Sequence, residues 1–394
     1  MPARRPSPRG ARANIARANI ARANGVRTWI EIDSRAARRN YHTFRELIGK
    51  KVKLWAVVKS NAYGHGLFAF SKLMNGFGID GFCVDSLVEG IALRRDGIKK
   101  PILALGHTLP SLYAAAVKNK ITITVSNFEA LRELARAKIA PEFHIKIDTG
   151  MHRQGFYLED VPPAIKILSA KKEIKNKLTG LYTHFASAKD INYPTYTEHQ
   201  FAKFQKAAKL FEGAGFRNLT KHAAATGGTL VNPKYHLDAA RVGIGLYGLW
   251  PSRELEVQLG RKIKLRPILA WRAVVAEVKA LKAGDYVGYD MSERVPAGMK
   301  MAILPLGYWH GFPRALSSVG EVIVNGKRAR VLGKVSMDVT AVAPSGRIHP
   351  GDVATIIGRD GGDEIFAWEP SQKSGTTHYE FLTRLNPLIE RVVI

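Results

Sequence analysis

The sequence is poor in cysteine, in acidic residues and in long apolar runs. Its single cysteine, Cys83, cannot form an intramolecular disulfide and lies in the apolar stretch 79–84, which favours a buried thiol in a reducing compartment such as the cytoplasm. No run of 18 apolar residues is present, so the sequence predicts no transmembrane helix. The composition, 46% hydrophobic and 24% charged over 394 residues, is that of a globular protein large enough for two domains.

The shortage of acid is greatest in residues 1–27, which contain seven arginines and no Asp or Glu. A repeat of five residues turns a helix by about 140° per step, so the arginines of this segment would spread around the axis and leave no apolar face. We therefore expect 1–27 to be a disordered basic tail. The rest of the chain has 53 basic and 33 acidic residues, but they are dispersed and carry no nucleic-acid-binding signature, so we expect no nucleic-acid partner.

A lysine follows directly after an apolar stretch that is typical of a buried strand. Leu54 to Val58 is rich in β-branched and aromatic residues, and no acidic residue follows Lys59 closely in the sequence. Because an isolated buried ammonium is costly, such a lysine must reach water, find a carboxylate, lose its proton or form a covalent bond. The glycines of Gly64-His65-Gly66 would allow a cofactor to approach the backbone. A solvated lysine at a strand end would explain this stretch alone equally well.

Eight apolar, strand-like segments alternate with helix-length segments through the first two thirds of the chain. They are 54–58, 79–84, 101–105, 121–125, 143–148, 178–184, 219–223 and 240–246. This count predicts a TIM (β/α)8 barrel over 28–255, and an open doubly wound sheet is the alternative. From 256 to 394, short alternating strands separated by glycine-bearing turns predict a second, mostly antiparallel β domain.

Ionisable residues collect at the ends of the predicted barrel strands, where such barrels carry active sites. They are Lys59, Asp148 with Arg153, His184, His222 with Thr226, and Arg241. The motif G-x-G-x-x-G at 243–248 is not a dinucleotide site, because Pro251 follows where a helix is required. The loops 222–228 and 241–244 are instead rich in small residues that could admit a phosphate. A reactive lysine, a phosphate loop and an arginine together suggest pyridoxal phosphate.

At these positions the sequence resembles the alanine racemases. The first matching motif is Val57-Val58-Lys59-Ser60-Asn61-Ala62-Tyr63-Gly64-His65-Gly66. The similarity continues in order over most of 28–394, at 146–153, 181–186, 241–248, 287–289, 305–308, 333–338 and 379–385. The resemblance implies a barrel and a β domain in a head-to-tail homodimer whose active sites are shared between subunits.

The resemblance also implies two bases on opposite faces of the substrate's Cα. Lys59 would condense with the cofactor aldehyde and act as one base, and Tyr289 from the other subunit would be the second. His184 and Arg241 match the residues that connect this tyrosine to the cofactor ring. Because arginine keeps its proton, Arg241 would leave the ring nitrogen unprotonated and disfavour transamination and decarboxylation.

Further matched positions concern the cofactor phosphate and the substrate carboxylate. The phosphate positions are Tyr63, Thr226, Gly243, Ile244 and Tyr379. Arg153 and Met337 match the carboxylate positions, and Lys146 matches a lysine that is carbamylated in several members. No metal ligands are assigned.

Four residues depart from the usual family pattern. Asp290 and His152 replace glycines, Ala225 replaces an asparagine and Ser336 replaces a cysteine. We expect Asp290 to point away from Tyr289, since an inward carboxylate would slow catalysis. The expected function is interconversion of L- and D-alanine for peptidoglycan in the cytoplasm. A racemase for serine or a broader range of amino acids, and a noncatalytic pyridoxal-phosphate carrier, are the alternatives.

Overall fold

A computed structural model describes residues 25–296 and 298–394, which divide into two compact units. The barrel unit comprises residues 35–62 and 70–267, and the sheet unit comprises residues 25–34, 63–69 and 268–394. Apart from residues 25–27, the predicted tail 1–27 lies outside the described residues. Within the described ranges, no helix is both long and apolar enough to cross a bilayer.

Eight parallel strands form the core of the barrel unit, and their bounds agree with the predicted segments to within two residues, except that the last strand ends at Val242, four residues before the predicted end. The first strand of the chain, β1 (Thr28–Ile32), belongs to the sheet unit. The barrel strands are β2 (Lys53–Val57), β3 (Gly81–Val84), β4 (Ile102–Ala104), β5 (Ile123–Val125), β6 (Phe143–Lys146), β7 (Leu178–Tyr182), β8 (Thr220–His222) and β9 (Ala239–Val242). Most of their residues are buried, as expected for parallel strands covered on both faces.

The barrel strands form two four-stranded sheets, in the orders β4-β3-β2-β9 and β5-β6-β7-β8. At one junction, Thr122 forms a parallel bridge with Leu103. At the other, the backbone N–H of Asp238 donates to the carbonyl of Lys221 at 3.0 Å. The two sheets therefore close into one ring, which confirms the predicted barrel.

Helices follow or precede the strands in the alternation that the sequence predicts. They are α1 (Ser34–Ile48), α2 (Leu67–Phe77), α3 (Leu87–Arg95), α4 (Tyr113–Lys118), α5 (Phe128–Arg136), α6 (Val161–Ser169), α7 (Lys172–Lys175), α8 (Thr195–Gly213), α9 (Thr226–Val231) and α10 (Arg253–Leu259). Ser86 caps α3 and Asn127 caps α5, each by accepting a backbone N–H with its side chain. Cys83 is buried in β3, and burial raises the pKa of its thiol to about 12.

The sheet unit contains a mostly antiparallel sheet of ten strands and a separate hairpin, as predicted. Its remaining strands are β10 (Leu269–Val274), β11 (Glu277–Ala280), β12 (Tyr286–Val287), β13 (Glu293–Arg294), β14 (Lys300–Leu304), β15 (Glu321–Val324), β16 (Lys327–Val331), β17 (Thr340–Ala343), β18 (Val353–Asp360), β19 (Asp363–Ile365) and β20 (Glu390–Val393). The long sheet runs β11-β14-β17-β16-β15-β18-β10-β1-β20, with β19 on β18, and β12-β13 is the hairpin. Two short helices, α11 (Trp368–Lys373) and α12 (His378–Thr383), complete the unit.

Strand β1 falls in the range 28–255 that the sequence assigns to the barrel, but its neighbours are strands of the sheet unit. It pairs antiparallel with β10 and parallel with β20. Glu31 of β1 forms a buried ion pair with Arg272 of β10, with 3.1 Å between carboxylate oxygen and Nε. The predicted domain boundaries stay a prediction, but this strand belongs with the C-terminal sheet.

Candidate active site

Lys59 lies where β2 ends and is followed by a left-handed turn. Ser60, Asn61 and Ala62 have φ values of 55°, 54° and 51°, and Tyr63 has 52°. This conformation costs a non-glycine residue about 1–2 kcal/mol, so the surrounding structure must impose it. One such constraint is a hydrogen bond of 2.7 Å from the backbone N–H of Ser60 to a carboxylate oxygen of Glu89. The strained turn fixes the direction in which the chain leaves the lysine.

A carboxylate does lie near Lys59, although none follows it closely in the sequence. Asp85, after the end of the adjacent strand β3, places one oxygen 3.5 Å from Lys59 Nζ. Both side chains are partly exposed, so this pair is weak. The barrel supplies the acid from a neighbouring strand end, which local sequence cannot reveal.

Arg241 in β9 is buried, and its hydrogen-bond partners are neutral. Its NH2 group donates to the carbonyl oxygens of Thr183 at 2.7 Å and Ala223 at 3.1 Å. Its NH1 group donates to His222 Nδ1 and to the His222 carbonyl. No carboxylate is among its hydrogen-bond partners in the described part of the chain. Burial lowers the pKa of Arg241, yet a guanidinium keeps its proton, so a positive charge stands here without a direct counter-ion.

Two buried histidines continue from Arg241 into the barrel. His222 Nε2 lies 2.8 Å from His144 Nδ1. Burial, followed by the charge of Arg241, lowers the pKa of His144 to about 3 and that of His222 well below its usual value, so both rings are neutral. Because arginine can only donate, His222 accepts at Nδ1 and donates from Nε2 to His144. His144 is not among the residues predicted from the sequence, where its signal is a polar residue within the buried strand Phe143–Lys146.

A strongly electropositive part of the barrel unit contains Lys146, Arg153 and His184. Burial, with the charges of Arg153 and Arg241, lowers the pKa of Lys146 to about 8. Burial lowers the pKa of His184 to about 3, and Arg241, Arg153, Lys146 and Lys59 all add to this shift. Lys146 Nζ donates to the side-chain oxygen of Gln154 at 3.2 Å. His184 is therefore neutral at physiological pH.

The loop that carries Arg153 is organised by a single carboxylate. One Asp148 oxygen accepts the backbone N–H groups of Gly150, Met151 and His152 at 2.9–3.0 Å, and the other accepts that of Arg153 at 3.0 Å. Burial alone would raise the pKa of Asp148, but these four donors outweigh it and lower the pKa. The carboxylate is thus occupied in shaping the loop.

The two predicted phosphate loops meet at Thr226. Its hydroxyl oxygen accepts the backbone N–H groups of Gly243 at 3.2 Å and Gly245 at 3.3 Å. Thr226, Gly243 and Ile244 are buried where β8 and β9 give way to their following loops. The structure therefore brings these three predicted phosphate residues together.

In the sheet unit, the predicted phosphate residues Tyr63 and Tyr379 lie side by side, with ring centroids 6.2 Å apart. Burial raises the pKa of Tyr379. Gly64 leaves no room for a side chain, since a Cβ there would lie 1.9 Å from the carbonyl oxygen of Leu382. This close approach keeps the segment after Lys59 packed on the helix that carries Tyr379.

Tyr289 occupies the turn between β12 and β13 and is 61% exposed. Asp290 beside it has a φ of 60° and forms an ion pair with Lys334. The Lys334 ammonium lowers the pKa of Asp290. The acid is thus engaged by Lys334, in agreement with the expected outward orientation. Met337, 55% exposed, follows Lys334 on the same loop.

The barrel unit fits an anionic ligand. The cations Lys59, Lys146, Arg153 and Arg241 all act on His184, while the carboxylate of Asp148 is already satisfied by four N–H groups. A partly exposed lysine amine among buried positive charge suits an anionic aldehyde that condenses with it. The residues present therefore fit pyridoxal phosphate.

Comparison with known proteins agrees with this geometry. The family model for the alanine racemase N-terminal domain matches residues 32–251, and that for the C-terminal domain matches residues 268–393. An alanine racemase of Leptospira interrogans is 35% identical over 93% of this chain and 96% of its own. One of Listeria monocytogenes is 37% identical over 93% and 98%.

Solved structures extend the comparison to three dimensions. The crystal structure of alanine racemase from Bacillus anthracis with bound L-Ala-P superposes with a TM-score of 0.88 at 32% identity, over 93% of this chain and 95% of that one. Alanine racemase from Streptomyces coelicolor gives a TM-score of 0.85 at 31% identity, over 94% and 99%. With both family models and both units matched along their length, the chain belongs to the alanine racemase family.

Proposed function

We propose that the protein is a pyridoxal-phosphate-dependent racemase that interconverts L- and D-alanine. The observation that carries this proposal is the buried guanidinium of Arg241, held by neutral partners and by no carboxylate among the described residues. Such a group presents a fixed positive charge and cannot deliver its own proton to a ring nitrogen. The choice of alanine as the substrate is supported by the similar proteins and solved structures that are named alanine racemase.

The residues that would hold the cofactor are the positions matched in the sequence. They are Lys59, Tyr63, His184, Thr226, Arg241, Gly243, Ile244 and Tyr379. When bound, pyridoxal phosphate supplies an electron-accepting ring that acidifies the α C–H bond of an attached amino acid. Lys59 would attach the group covalently, and the Thr226 loops, Tyr63 and Tyr379 would hold its phosphate.

Racemisation requires a proton to leave one face of Cα and another to arrive at the opposite face. We assign one face to the amine of Lys59 and the other to the phenol of Tyr289 from a second subunit. A homodimer with shared sites is supported by the exposure of Tyr289 and Met337, since large apolar side chains left in solvent on one surface are typical of interfaces. Exposed Trp309 lies on the same unit.

His184 and Arg241 would support Tyr289 in different ways. Because the pKa of His184 is lowered to about 3 by burial and by Arg241, its ring would act as a neutral hydrogen-bonding link. Arg241 keeps its charge and would stabilise a negative phenolate at a distance. The pair therefore provides one mobile proton site and one fixed charge.

Arg153 and Met337 would bind the substrate carboxylate, and Lys146 would orient Arg153. Burial and two nearby arginines lower the pKa of Lys146 to about 8, so roughly a tenth of its amine is unprotonated at pH 7. An unprotonated amine can add to carbon dioxide and become a carbamate, which would replace a repelling cation beside Arg153 with an anion. Carbamylation of Lys146 is part of the proposal.

Racemisation of L-alanine by the purified protein with pyridoxal phosphate, followed by circular dichroism, tests the proposal, with L-serine and L-lysine measured alongside. We expect the optical signal of alanine to decay fastest. Faster decay with serine or lysine would favour the broader racemase. A protein that binds the cofactor and racemises none of the three would favour the carrier. Supply of D-alanine to peptidoglycan in the cytoplasm is the expected role of an alanine racemase activity.

A further inference from the structure

A second cavity lies at the amino ends of the barrel strands, whereas Lys59 and Arg241 belong to the carboxyl ends. Its volume is about 340 Å³, and it opens between the starts of several strands. The residues that matter here are Lys53, Trp55, Asp80, Glu142, His144 and Thr220. The cavity therefore belongs to the barrel unit but not to the site described above.

Trp55 brings an unsatisfied donor to this cavity. Its side chain is only 6% exposed, and its Nε1–H is buried with no hydrogen-bond acceptor among the described residues. An indole nitrogen can only donate, so no change of rotamer or tautomer turns it into an acceptor. Buried donors are normally paired, and a ligand that carries an acceptor would pair this one.

His144 supplies a second donor beside the first. Its Nδ1 accepts from His222, so in the neutral ring the hydrogen is on Nε2. Among the described residues, the hydrogen bond of the His144 ring is made through Nδ1 and not through Nε2, and the His144 and Trp55 ring centroids lie 5.9 Å apart. Gly180 leaves room for the ring, since a Cβ there would lie 2.7 Å from Nε2. Two residues that each carry an N–H donor thus line one cavity.

The charges around the cavity favour an anion at its inner part. Lys53 is close enough that its ammonium, after burial and Arg241, helps to lower the pKa of His144. Asp80 is already engaged, since it accepts the backbone N–H of Leu54 and pairs with Arg45. Glu142 is an exposed lining residue and opposes an anion from that side.

We propose that this cavity binds a small carboxylate anion, whose oxygens accept the N–H groups of Trp55 and His144 and pair with the Lys53 ammonium. Two carboxylate oxygens match two neutral donors and one cation. The bound anion would also be connected to Arg241 through the hydrogen bonds of His144 and His222. The site would lie at the opposite end of the barrel strands from Lys59.

The indole N–H signal of Trp55 in a ¹⁵N-labelled, cofactor-loaded protein tests the proposal, with acetate as the probe. Trp55→Phe removes one indole signal and so assigns it. We expect acetate to shift this signal saturably, and sodium chloride at the same ionic strength to leave it in place. Lys53→Met should weaken acetate binding about tenfold because a charged hydrogen bond is lost. Glu142→Gln should strengthen it about threefold.

Two control variants locate the effect. Lys51→Met removes a neighbouring lysine that does not line this cavity, and Arg153→Met removes the proposed carboxylate ligand of the active site; both should leave the titration unchanged. An unshifted Trp55 signal, or equal acetate affinity in Lys53→Met, would overturn the proposal. So would a shift produced by ethylammonium and not by acetate, which would make this a cation site. These readouts do not depend on racemase activity.

Discussion

The two units present their candidate site residues in opposite ways. In the barrel unit, Arg241, Lys146 and Thr226 are buried and held by backbone or side-chain hydrogen bonds. In the sheet unit, Tyr289 and Met337 are on exposed loops, and the neighbouring ion pair between Asp290 and Lys334 lies at the surface. The barrel-unit residues of the proposed site are thus preorganised by internal hydrogen bonds, whereas Tyr289, the proposed second base, is exposed to solvent.

This difference predicts different costs of substitution. Changes in the barrel cluster should lower both activity and stability, because the same hydrogen bonds serve both. Changes at the exposed loops should lower activity and leave the unfolding free energy almost unchanged.

The largest effect should come from Lys59→Ala. Loss of both the cofactor attachment and one base should reduce racemisation by about 10⁴-fold or more and abolish the visible absorbance of the lysine-bound cofactor. Absorbance spectra and circular dichroism assays measure both. Lys51→Ala, at another exposed lysine of the barrel unit, is the matched control and should retain colour and rate. Retained lysine-bound absorbance in Lys59→Ala would refute the assignment.

Tyr289→Phe should lower racemisation by about 10²–10⁴-fold while cofactor absorbance remains. Because the phenol is proposed to serve one face of Cα, exchange of the α proton with deuterated solvent should fall for one enantiomer more than for the other. Proton NMR of each enantiomer measures this. Tyr286→Phe is the matched control, because Tyr286 is similarly exposed, at 54%, and lies three residues before Tyr289. Its racemisation rate should change little. Equal loss for both enantiomers would count against two bases.

Arg241→Gln tests most directly whether a change in the barrel unit lowers both activity and stability. Racemisation should fall about 10²-fold through loss of a preorganised charge, and pyruvate from transamination should increase relative to racemisation. The carbonyls of Thr183 and Ala223 also lose charged donors, so the unfolding free energy should fall by about 1–3 kcal/mol. Urea unfolding of Arg241→Gln and Tyr289→Phe compares their unfolding free energies. Equal stability of the two variants would contradict the predicted difference between buried and exposed site residues.

Carbamylation of Lys146 should depend on pH. Only the neutral amine reacts with carbon dioxide, and burial with two nearby arginines places the pKa of Lys146 at about 8. The carbamate signal in ¹³C NMR with labelled bicarbonate should therefore grow as pH rises from about 6 to about 9. Lys146→Met should lack it and lose about tenfold in kcat/KM for alanine through a poorly oriented Arg153. A signal of equal size in Lys146→Met would assign it to another lysine.

The smallest effect should come from Asp290→Gly. The residue has a left-handed φ of 60°, which glycine adopts without strain, while its ion pair with Lys334 is solvent-exposed. The relief of backbone strain and the loss of the ion pair should nearly cancel in the unfolding free energy, and racemisation should change less than about threefold. Thermal unfolding measures the stability, and steady-state rates measure the racemisation. A change of about 10² would mean that Asp290 acts directly on Tyr289.

The sequence predicted the barrel because each buried strand is a short apolar run bounded by helix-length segments. It also predicted that Lys59, His184 and Arg241 share one face, since strand ends converge in such a fold. It did not predict the left-handed turn after Lys59, because Ser60 and Ala62 carry no preference for positive φ. The turn depends on a contact with Glu89, 29 residues away.

Two departures from the family pattern become intelligible in the structure. His152 and Asp290 replace glycines, and both have positive φ values, 52° and 60°. A glycine preference at those positions is therefore conformational. His144 stands out in the sequence only as a polar residue within an apolar strand, and its pairing with His222 could not be predicted because the two are 78 residues apart.

The pairing of β1 has a consequence for the order in which the chain is made. Synthesis delivers Thr28–Ile32 early, yet Arg272, the ion-pair partner of Glu31, is 241 residues away, and β20 is further still. The barrel unit, residues 35–62 and 70–267, leaves the ribosome in between. During that interval Trp29, Ile30 and Ile32, which are fully buried at the end, have no strand to pair with. Strand β1 can therefore complete its pairing only after β20 has been synthesised. Until then its apolar side chains remain exposed and prone to aggregation.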